Sequence, residues 1–333
     1  MEKKKIVQAI DLGFGFTKLV EGVNASGQYK LKSFPSITAI SSGKKTLGGG
    51  FFSERDTVTV EQGGVTYEVG KDTVMAQSGF SARILDNRYI YSDDYQALMK
   101  GALKMMRTDH IDLLVLGLPV KSYDDAKAYL KESWEGQINI DGDHKVRVNR
   151  VMVLPQPLGG FAWHGKSTGT YEQMKSQRNL ILDPGHFTFD WLLAHDMKMT
   201  KRSNSYEGGM SFVINAIADS LGIGSSNLDT LNAIDEHFYM GKPFMLGGKV
   251  VDLTPHMPVA KAVIKRAVSA MSANIGDSSN IDNIVMLGGG ADLYLEEVSK
   301  AFPHHQIKTA KGKSFANVMG YQWIGEQVAN GKR

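Results

Sequence analysis

Along most of the chain, short apolar runs that stop at an acid or a glycine alternate with stretches of helical spacing. Residues 6–10 are an uninterrupted apolar-rich run ending at Asp11, the pattern of a central strand buried on both faces. Residues 16–21 return, and Asn24-Ala25-Ser26-Gly27 turns the chain into a third strand over 29–34. From 35 to about 64 helix signal is poor, and Ser41-Ser42-Gly43 and Gly48-Gly49-Gly50 act as breakers, which predicts a small inserted lobe of irregular strands and loops. A strand follows over 65–70. Tyr95, Leu98, Ala102, Leu103 and Met106 recur at helical spacing and predict a helix over 94–106. Residues 111–119 return to a buried strand, 123–134 to a helix, and 137–153 to two strands around Asp141-Gly142-Asp143. Pro155-Gln156-Pro157 ends a strand and turns, a short helix begins at Phe161, and the polar stretch 165–177 is expected as a surface loop.

The second half opens on a hairpin that repeats the first. Ile181-Leu182 runs into Asp183-Pro184-Gly185-His186-Phe187-Thr188-Phe189-Asp190, as Ala9-Ile10 runs into Asp11-Leu12-Gly13-Phe14-Gly15-Phe16-Thr17-Lys18. A third strand is expected near 197–202, and helices over 211–221, 228–238 and 257–274, the last with Val259, Val263, Ala267 and Met271 on one face. Then come a strand over 284–287, the turn Gly288-Gly289-Gly290, a helix over 293–301, a strand at 306–308 and a last helix over 317–329. Strands alternating with helices predict an α/β protein.

Composition narrows this little. At 333 residues the chain has room for two domains, and a net charge of +3 asks for neither nucleic acid nor membrane as direct partner. With no cysteine, disulfides, thiolate metal sites and cysteine nucleophiles are excluded, and a reducing cytoplasm is the expected compartment. Lys3-Lys4-Lys5 resembles a signal n-region, but the run after it meets Asp11 too soon for an export segment.

The chemistry gathers at the two hairpins. A strand-end carboxylate can hold a hydrated magnesium ion, while turn amides and the Lys18 ammonium form an anion site. The spacing is not the Gly-Lys-Ser/Thr of a P-loop. An acid with glycines is also common in hairpins that do no chemistry. Gly288-Gly289-Gly290, between strand and helix, is a place for ribose or phosphate to approach backbone, or only a tight connection. Gln156 is a turn residue or a water-orienting carboxamide. His186 has no acid partner visible in the sequence, and His304-His305 has no helical metal spacing.

In order, the Asp-Leu-Gly-Phe-Gly-Phe-Thr-Lys hairpin, Leu116-Gly117-Leu118-Pro119, Pro155-Gln156-Pro157, the Asp-Pro-Gly-His-Phe-Thr-Phe-Asp hairpin, Leu287-Gly288-Gly289-Gly290-Ala291 and Phe315-Ala316-Asn317-Val318-Met319-Gly320-Tyr321 resemble the signatures of the actin/Hsp70/sugar-kinase superfamily. The chain looks most like the plasmid-segregation actins of the ParM/StbA type, including the actin-like member of the PRTRC plasmid cassette. The resemblance implies an actin-like two-lobed α/β fold of duplicated ribonuclease H-like domains with a nucleotide cleft between the lobes. Domain I would be 1–160 plus 314–333 with a small lobe at about 35–70, and domain II 161–313 with a small lobe at about 208–280.

By position, Asp11 and Asp183 would hold Mg2+ through waters and serve catalysis with Gln156. Gly13, Phe14, Gly15, Phe16, Thr17, Lys18, Gly185, His186 and Thr188 would grip phosphates; Gly208 and Gly209 would face the cleft; Gly288, Gly289 and Gly290 would receive the nucleoside. Two positions depart from the pattern: Gln156, where ParM-type proteins often carry glutamate, and Pro184, which removes one amide from its turn. The implied function is an ATP- or GTP-hydrolysing, filament-forming protein that segregates plasmids. Its partners would be its own copies and a DNA-binding adaptor, with Phe51-Phe52 as a candidate subunit contact. A small-molecule kinase is the alternative. It needs a base for the acceptor hydroxyl, and the carboxamide at 156 is a poor one.

Overall fold

The computed structural model describes residues 5–41, 54–76, 86, 88–224 and 227–331; Phe51-Phe52 lies outside them. The chain divides into two compact units, Met1–Leu118 with Ser122–Gly159 and Val318–Arg333, and Pro119–Lys121 with Gly160–Asn317.

The first unit is built on β1 (Val7–Leu12), β2 (Phe16–Val23) and β3 (Tyr29–Pro35), joined by hairpins. The side-chain oxygen of Asn24 accepts from the amides of Ser26 and Gln28 and closes the second turn. β4 (Ala39–Ile40), β5 (Thr57–Gln62) and β6 (Val65–Gly70) form a separate three-stranded sheet, ordered β4-β6-β5. α1 (Asp93–Met105) starts at Ser92, whose hydroxyl accepts from Tyr95 N. It buries Tyr95, Leu98, Ala102 and Leu103.

Beyond β7 (His110–Ile111), β8 (Leu113–Leu118) and α2 (Tyr123–Trp134), the region expected to hold two strands holds three: β9 (Gly136–Asp141), β10 (His144–Val148) and β11 (Val151–Pro155). The break at Asn149 and Arg150 lets the chain leave the sheet β7-β10-β9 and join the main one. That sheet runs β11-β8-β1-β2-β3, with β1, β8 and β11 parallel and β1-β2-β3 antiparallel. Its core includes Ile10, Leu19, Leu98, Leu116 and Trp134.

α3 spans Gln156–Thr168. Gln156 is therefore the first residue of a helix and not a turn residue, and Phe161 lies within that helix. Pro157 is tolerated because the first helical turn has no use for its missing N–H. The loop expected over 165–177 shrinks to a break at Gly169 (φ 74°) before α4 (Tyr171–Lys175).

The second unit repeats the sheet. β12 (Arg178–Pro184) and β13 (Thr188–His195) form the hairpin. β14 (Lys198–Met199) and β15 (Asn204–Glu207) both pair with β13. Then follow α5 (Met210–Ser220), α6 (Leu228–Met240), a small hairpin β16 (Met245–Leu246) and β17 (Lys249–Val250), α7 (Met257–Ile275), β18 (Asn283–Met286), α8 (Ala291–Ala301), β19 (Ile307–Thr309) and α9 (Ala316–Ala329). The order β13-β12-β18-β19, antiparallel at the hairpin and parallel thereafter, matches β2-β1-β8-β11. α7 buries Ala260, Ile264, Ala267, Val268, Met271 and Ile275, while Val259 stays 38% exposed. A strict four-residue spacing drifts around a 3.6-residue helix, so the stripe begun at Val259 starts on the wrong side. No helix among the described residues is long and apolar enough to cross a membrane.

Candidate functional site

In the first unit, the pleat and register of the β1–β2 hairpin place Asp11 directly opposite Lys18. Side chains opposite each other on antiparallel strands share a face, and Lys18 Nζ lies 3.5 Å from Asp11 Oδ2. The second oxygen of the same carboxylate accepts from Gln156 Nε2 at 3.2 Å. Gln156 is held at its own carbonyl by the Tyr321 hydroxyl at 3.2 Å. Gly117 makes room for that hydroxyl, since a Cβ there would stand 2.1 Å from it. Asp11 is 2% exposed, so a buried carboxylate, a cation and a carboxamide meet at one strand end.

The turn is closed by Gly13 N donating to Phe16 O at 3.2 Å. Phe14 stacks on Tyr89 with centroids 5.1 Å apart, and Gly15 O accepts from Ser36 N. Thr17 points away from Lys18, as strand alternation requires; its buried hydroxyl pairs with Ser36 Oγ at 3.0 Å. Ser36 Oγ also lies 2.6 Å from Gly13 O, to which it donates. Thr17 thus braces the turn through Ser36, a residue no sequence motif marks.

In the second unit, Gly185 N donates to Thr188 O at 2.9 Å, the same closure. Asp183 accepts from Asn317 Nδ2 at 2.7 Å, and Asn317 Oδ1 accepts from Gly160 N at 3.0 Å. Each strand-end acid is therefore held by one carboxamide brought by a helix start. Gly288 has φ +84°, and a Cβ there would stand 2.2 Å from Asp183 Oδ1; a side chain would close the turn over the carboxylate. Gly290 N donates to Pro184 O at 3.2 Å.

Gly209, Met210 and Ser211 give their amides to the carbonyls of Phe187, Gly185 and His186. The start of α5 is thereby capped by the turn's backbone, not by a side chain. Gly208 O accepts from the buried Tyr294 hydroxyl. Tyr239 on α6 sets its ring 3.5 Å from a Cβ built at Gly289, and its hydroxyl pairs with Ser314 Oγ at 3.0 Å. His186 does have an acid partner: Asp235, also on α6, brings Oδ2 to 3.9 Å from His186 Nδ1.

Asp190 stands opposite Asp183 and is 2% exposed. It accepts from Val120 N at 3.0 Å and from the hydroxyls of Thr188 and Ser205. Burial pushes its carboxyl above the usual carboxylate range, against the pull of those three bonds. Thr188 consequently spends its hydroxyl on Asp190. Asn317, Asp235, Tyr239 and Ser36 were not found as site residues from the sequence, because nothing local ties them to the turns they support.

Two family models account for most of the chain: the actin-like proteins' N-terminal domain over residues 9–159 and the C-terminal domain of the archaeal, MreB-like actin homologue over residues 181–300. No curated protein sequence matches it. Similar solved structures include the archaeal actin homologue Ta0583 in complex with ADP, 19% identical, covering 97% of this chain and 99% of that one with a TM-score of 0.72. The 15-stranded ParM filament from Clostridium botulinum is 18% identical over 98% of this chain and 100% of that one, with a TM-score of 0.72. The apo ParM of pSK41 is 18% identical over 99% of each chain, with a TM-score of 0.68. A sheet order repeated in two units, each ending its hairpin in a carboxylate braced by a carboxamide, now has its place: the chain belongs to the actin-like proteins, whose fold it has from end to end of the described residues.

Proposed function

We propose that this chain is a nucleotide-dependent, filament-forming ATPase of the ParM type that serves plasmid segregation in the cytoplasm. The observation that carries the chemistry is the meeting of Gln156 and Lys18 on the two oxygens of Asp11. Lys18 offers a positive charge to a phosphate, and the amides of both turns are of the kind that bind anions. Gln156, fixed through Nε2, keeps its amide group at the strand end, where it can orient a water without serving as a strong base.

The donor set fits a magnesium ion that arrives with its nucleotide. Asp11 and Asp183 are buried carboxylates at strand ends, and no group of three or more His, Asp or Glu among the described residues is arranged as a metal cage. Mg2+ commonly takes one or two carboxylates and keeps waters and phosphates for the rest. Asp11 and Asp183 would hold it through such waters, and when bound it would neutralise phosphate charge. Gly288, Gly289 and Gly290 with the Tyr239 ring would receive the nucleoside. The ADP bound to Ta0583 and the filament formed by the Clostridium botulinum ParM support nucleotide binding and self-assembly here. A DNA-binding adaptor would link the polymer to plasmid DNA.

Sedimentation with ATP, GTP, ADP and no nucleotide, read together with phosphate release, tests this. The protein is expected in the pellet with a triphosphate and in the supernatant without one. A chain that never pellets sinks the filament reading, and one that releases no phosphate sinks the enzyme.

A further inference from the structure

β12 carries Asp183 near its end and begins at Arg178, roughly 17 Å away at ~3.3 Å per residue. Around that start a cavity of about 200 Å³ opens. Its wall comes from the start of β12, the end of β13, the connection from β14 to β15 and the loop after α7. The clefts that enclose drug-sized ligands run to roughly 300–1,000 Å³, so this one suits a single small group. Leu193, Ala194 and Ile281 give the wall a buried apolar part, beside which charges are poorly screened.

The polar groups of the wall are mostly donors. Arg178 stands opposite His195 across the hairpin and shares its face. The backbone of Arg178 is fixed by Asp282, whose carboxylate accepts from Arg178 N at 2.7 Å and whose N–H donates to Arg178 O at 2.9 Å. The side chain is half-buried, and its guanidinium has no hydrogen bond or ion pair among the described residues. Arg202 is pinned by one nitrogen: Nη1 donates to Ile275 O at 2.6 Å and to Asp277 O at 3.4 Å, at the end of α7. Its Nε and Nη2 have no acceptor among the described residues. The Thr200 hydroxyl accepts from Arg202 N at 3.3 Å and keeps its own proton to donate.

His195 in this wall has Asp196 3.8 Å away. The acid of the wall, Asp277, accepts from the N–H and the hydroxyl of Ser279, each at 2.9 Å. Arg202 thus offsets Asp277 and the helix end, and the charge of Arg178 is left over. A larger neighbouring cavity of about 660 Å³ has no such surplus. It shares Asp277 but adds Asp282, and its Lys308 donates to Asn283 Oδ1 at 2.8 Å.

We propose that Arg178, with Arg202 and the Thr200 hydroxyl, forms a binding site for one phosphate group, free or at the end of a small ester. The site lies at the opposite end of β12 from the Asp183 turn and does not rest on the nucleotide reading. A guanidinium presents its N–H groups as a planar fork that matches two oxygens of a phosphate, and the wall offers such an anion several donors against one engaged acid.

The test is equilibrium titration of the full chain with inorganic phosphate and, in a second arm, with glycerol phosphate, chloride holding the ionic strength constant. Wild type is compared with Arg178→Gln and Arg202→Gln, each shown folded by its thermal melt. Wild type is expected to take up phosphate saturably, and Arg178→Gln to weaken that uptake about tenfold or more while binding ATP as wild type does. Arg202→Gln should weaken it as well; since that change also uncaps α7, Arg178→Gln decides where the two disagree. Equal binding of ion and ester assigns the site to a terminal phosphate, and binding of the ion alone to inorganic phosphate; both support the proposal. It is overturned by a wild type without saturable uptake in either arm, or by an Arg178→Gln variant that binds phosphate as wild type does.

Discussion

The Asp11 and Asp183 turns share one skeleton and differ in charge. In both, an acid ends a buried strand, a glycine two residues on donates its amide back across the turn, and a carboxamide from a helix start fixes the acid. Yet Asp11 has a lysine across the strand and Asp183 has a second carboxyl. The Lys18 head stays 16% exposed beside Asp11. Asp190 is buried under three donors, and its hydrogen bonds to Val120 and Ser205 tie β13 to neighbouring backbone and to β15. A duplicated unit thus keeps the backbone geometry that presents a carboxylate, and lets the cross-strand position differ: a part-exposed cation in one copy, a buried and internally bonded carboxyl in the other.

The largest expected effect tests what the turns share. Asp11→Ala and Asp183→Ala should each nearly abolish nucleotide hydrolysis, since positioned charge in a dry site is worth several kcal/mol. Wild-type phosphate release in either would remove that acid from the mechanism and break the equivalence of the turns. A smaller effect separates the carboxamides. Gln156→Ala should bind nucleotide with nearly unchanged affinity but hydrolyse it on the order of tenfold to a hundredfold more slowly, because orientation acts on the reaction step. Its filaments should outlast wild-type ones after nucleotide is spent. Normal turnover would mean that Gln156 only braces Asp11, as Asn317 braces Asp183.

Lys18→Met isolates the cation that stands across the strand from Asp11, where Asp183 has Asp190. Triphosphate affinity, measured by equilibrium titration, should fall about tenfold. Affinity that is unaffected would confine Lys18 to its ion pair with Asp11.

Much of the architecture was legible because it is written in short-range patterns. Apolar runs stopping at Asp11 and Asp183 give the two hairpins, and the glycine two residues after each gives the turn. Val65–Gly70 and Tyr123–Trp134 run from end to end as their patterns predict. The misread stretches are those where a local signal has two structural uses. Two prolines around Gln156 signal a turn, but a proline just inside a helix start serves equally well. The small hairpin of β16 and β17 is too short for its alternation to register. The supports of the site escaped for another reason. Asn317 reaches Asp183 across 134 positions, and Asp235 reaches His186 from another helix. Such pairs depend on tertiary packing and leave no period in the sequence. The duplicated turn itself could be seen, with the opposite charges at Lys18 and Asp190; which of them stays part-exposed and which is buried could not.

The smallest expected effect concerns that buried acid. Burial raises the folded-state pKa of Asp190 above its unfolded value, and the donors at Val120, Thr188 and Ser205 only partly offset this. The folded protein therefore holds the proton more tightly than the unfolded chain does. Its stabilising contribution is complete below the unfolded carboxylate pKa, near 4, and is lost as pH rises through the raised folded value. Asp190→Asn removes the titration while keeping a carbonyl for Val120 N and the Ser205 hydroxyl, and the Thr188 hydroxyl can rotate to accept from the new amide. Urea midpoints of wild type and Asp190→Asn, measured near pH 4 and near pH 7, give the comparison. The wild type should lose ground against the variant as pH rises, by a modest shift. If it instead gains ground, the three donors outweigh burial and the Asp190 carboxylate is a net stabilising anion, which would make the cross-strand positions of the two turns alike in holding a stabilised charge and remove the asymmetry on which the comparison stands.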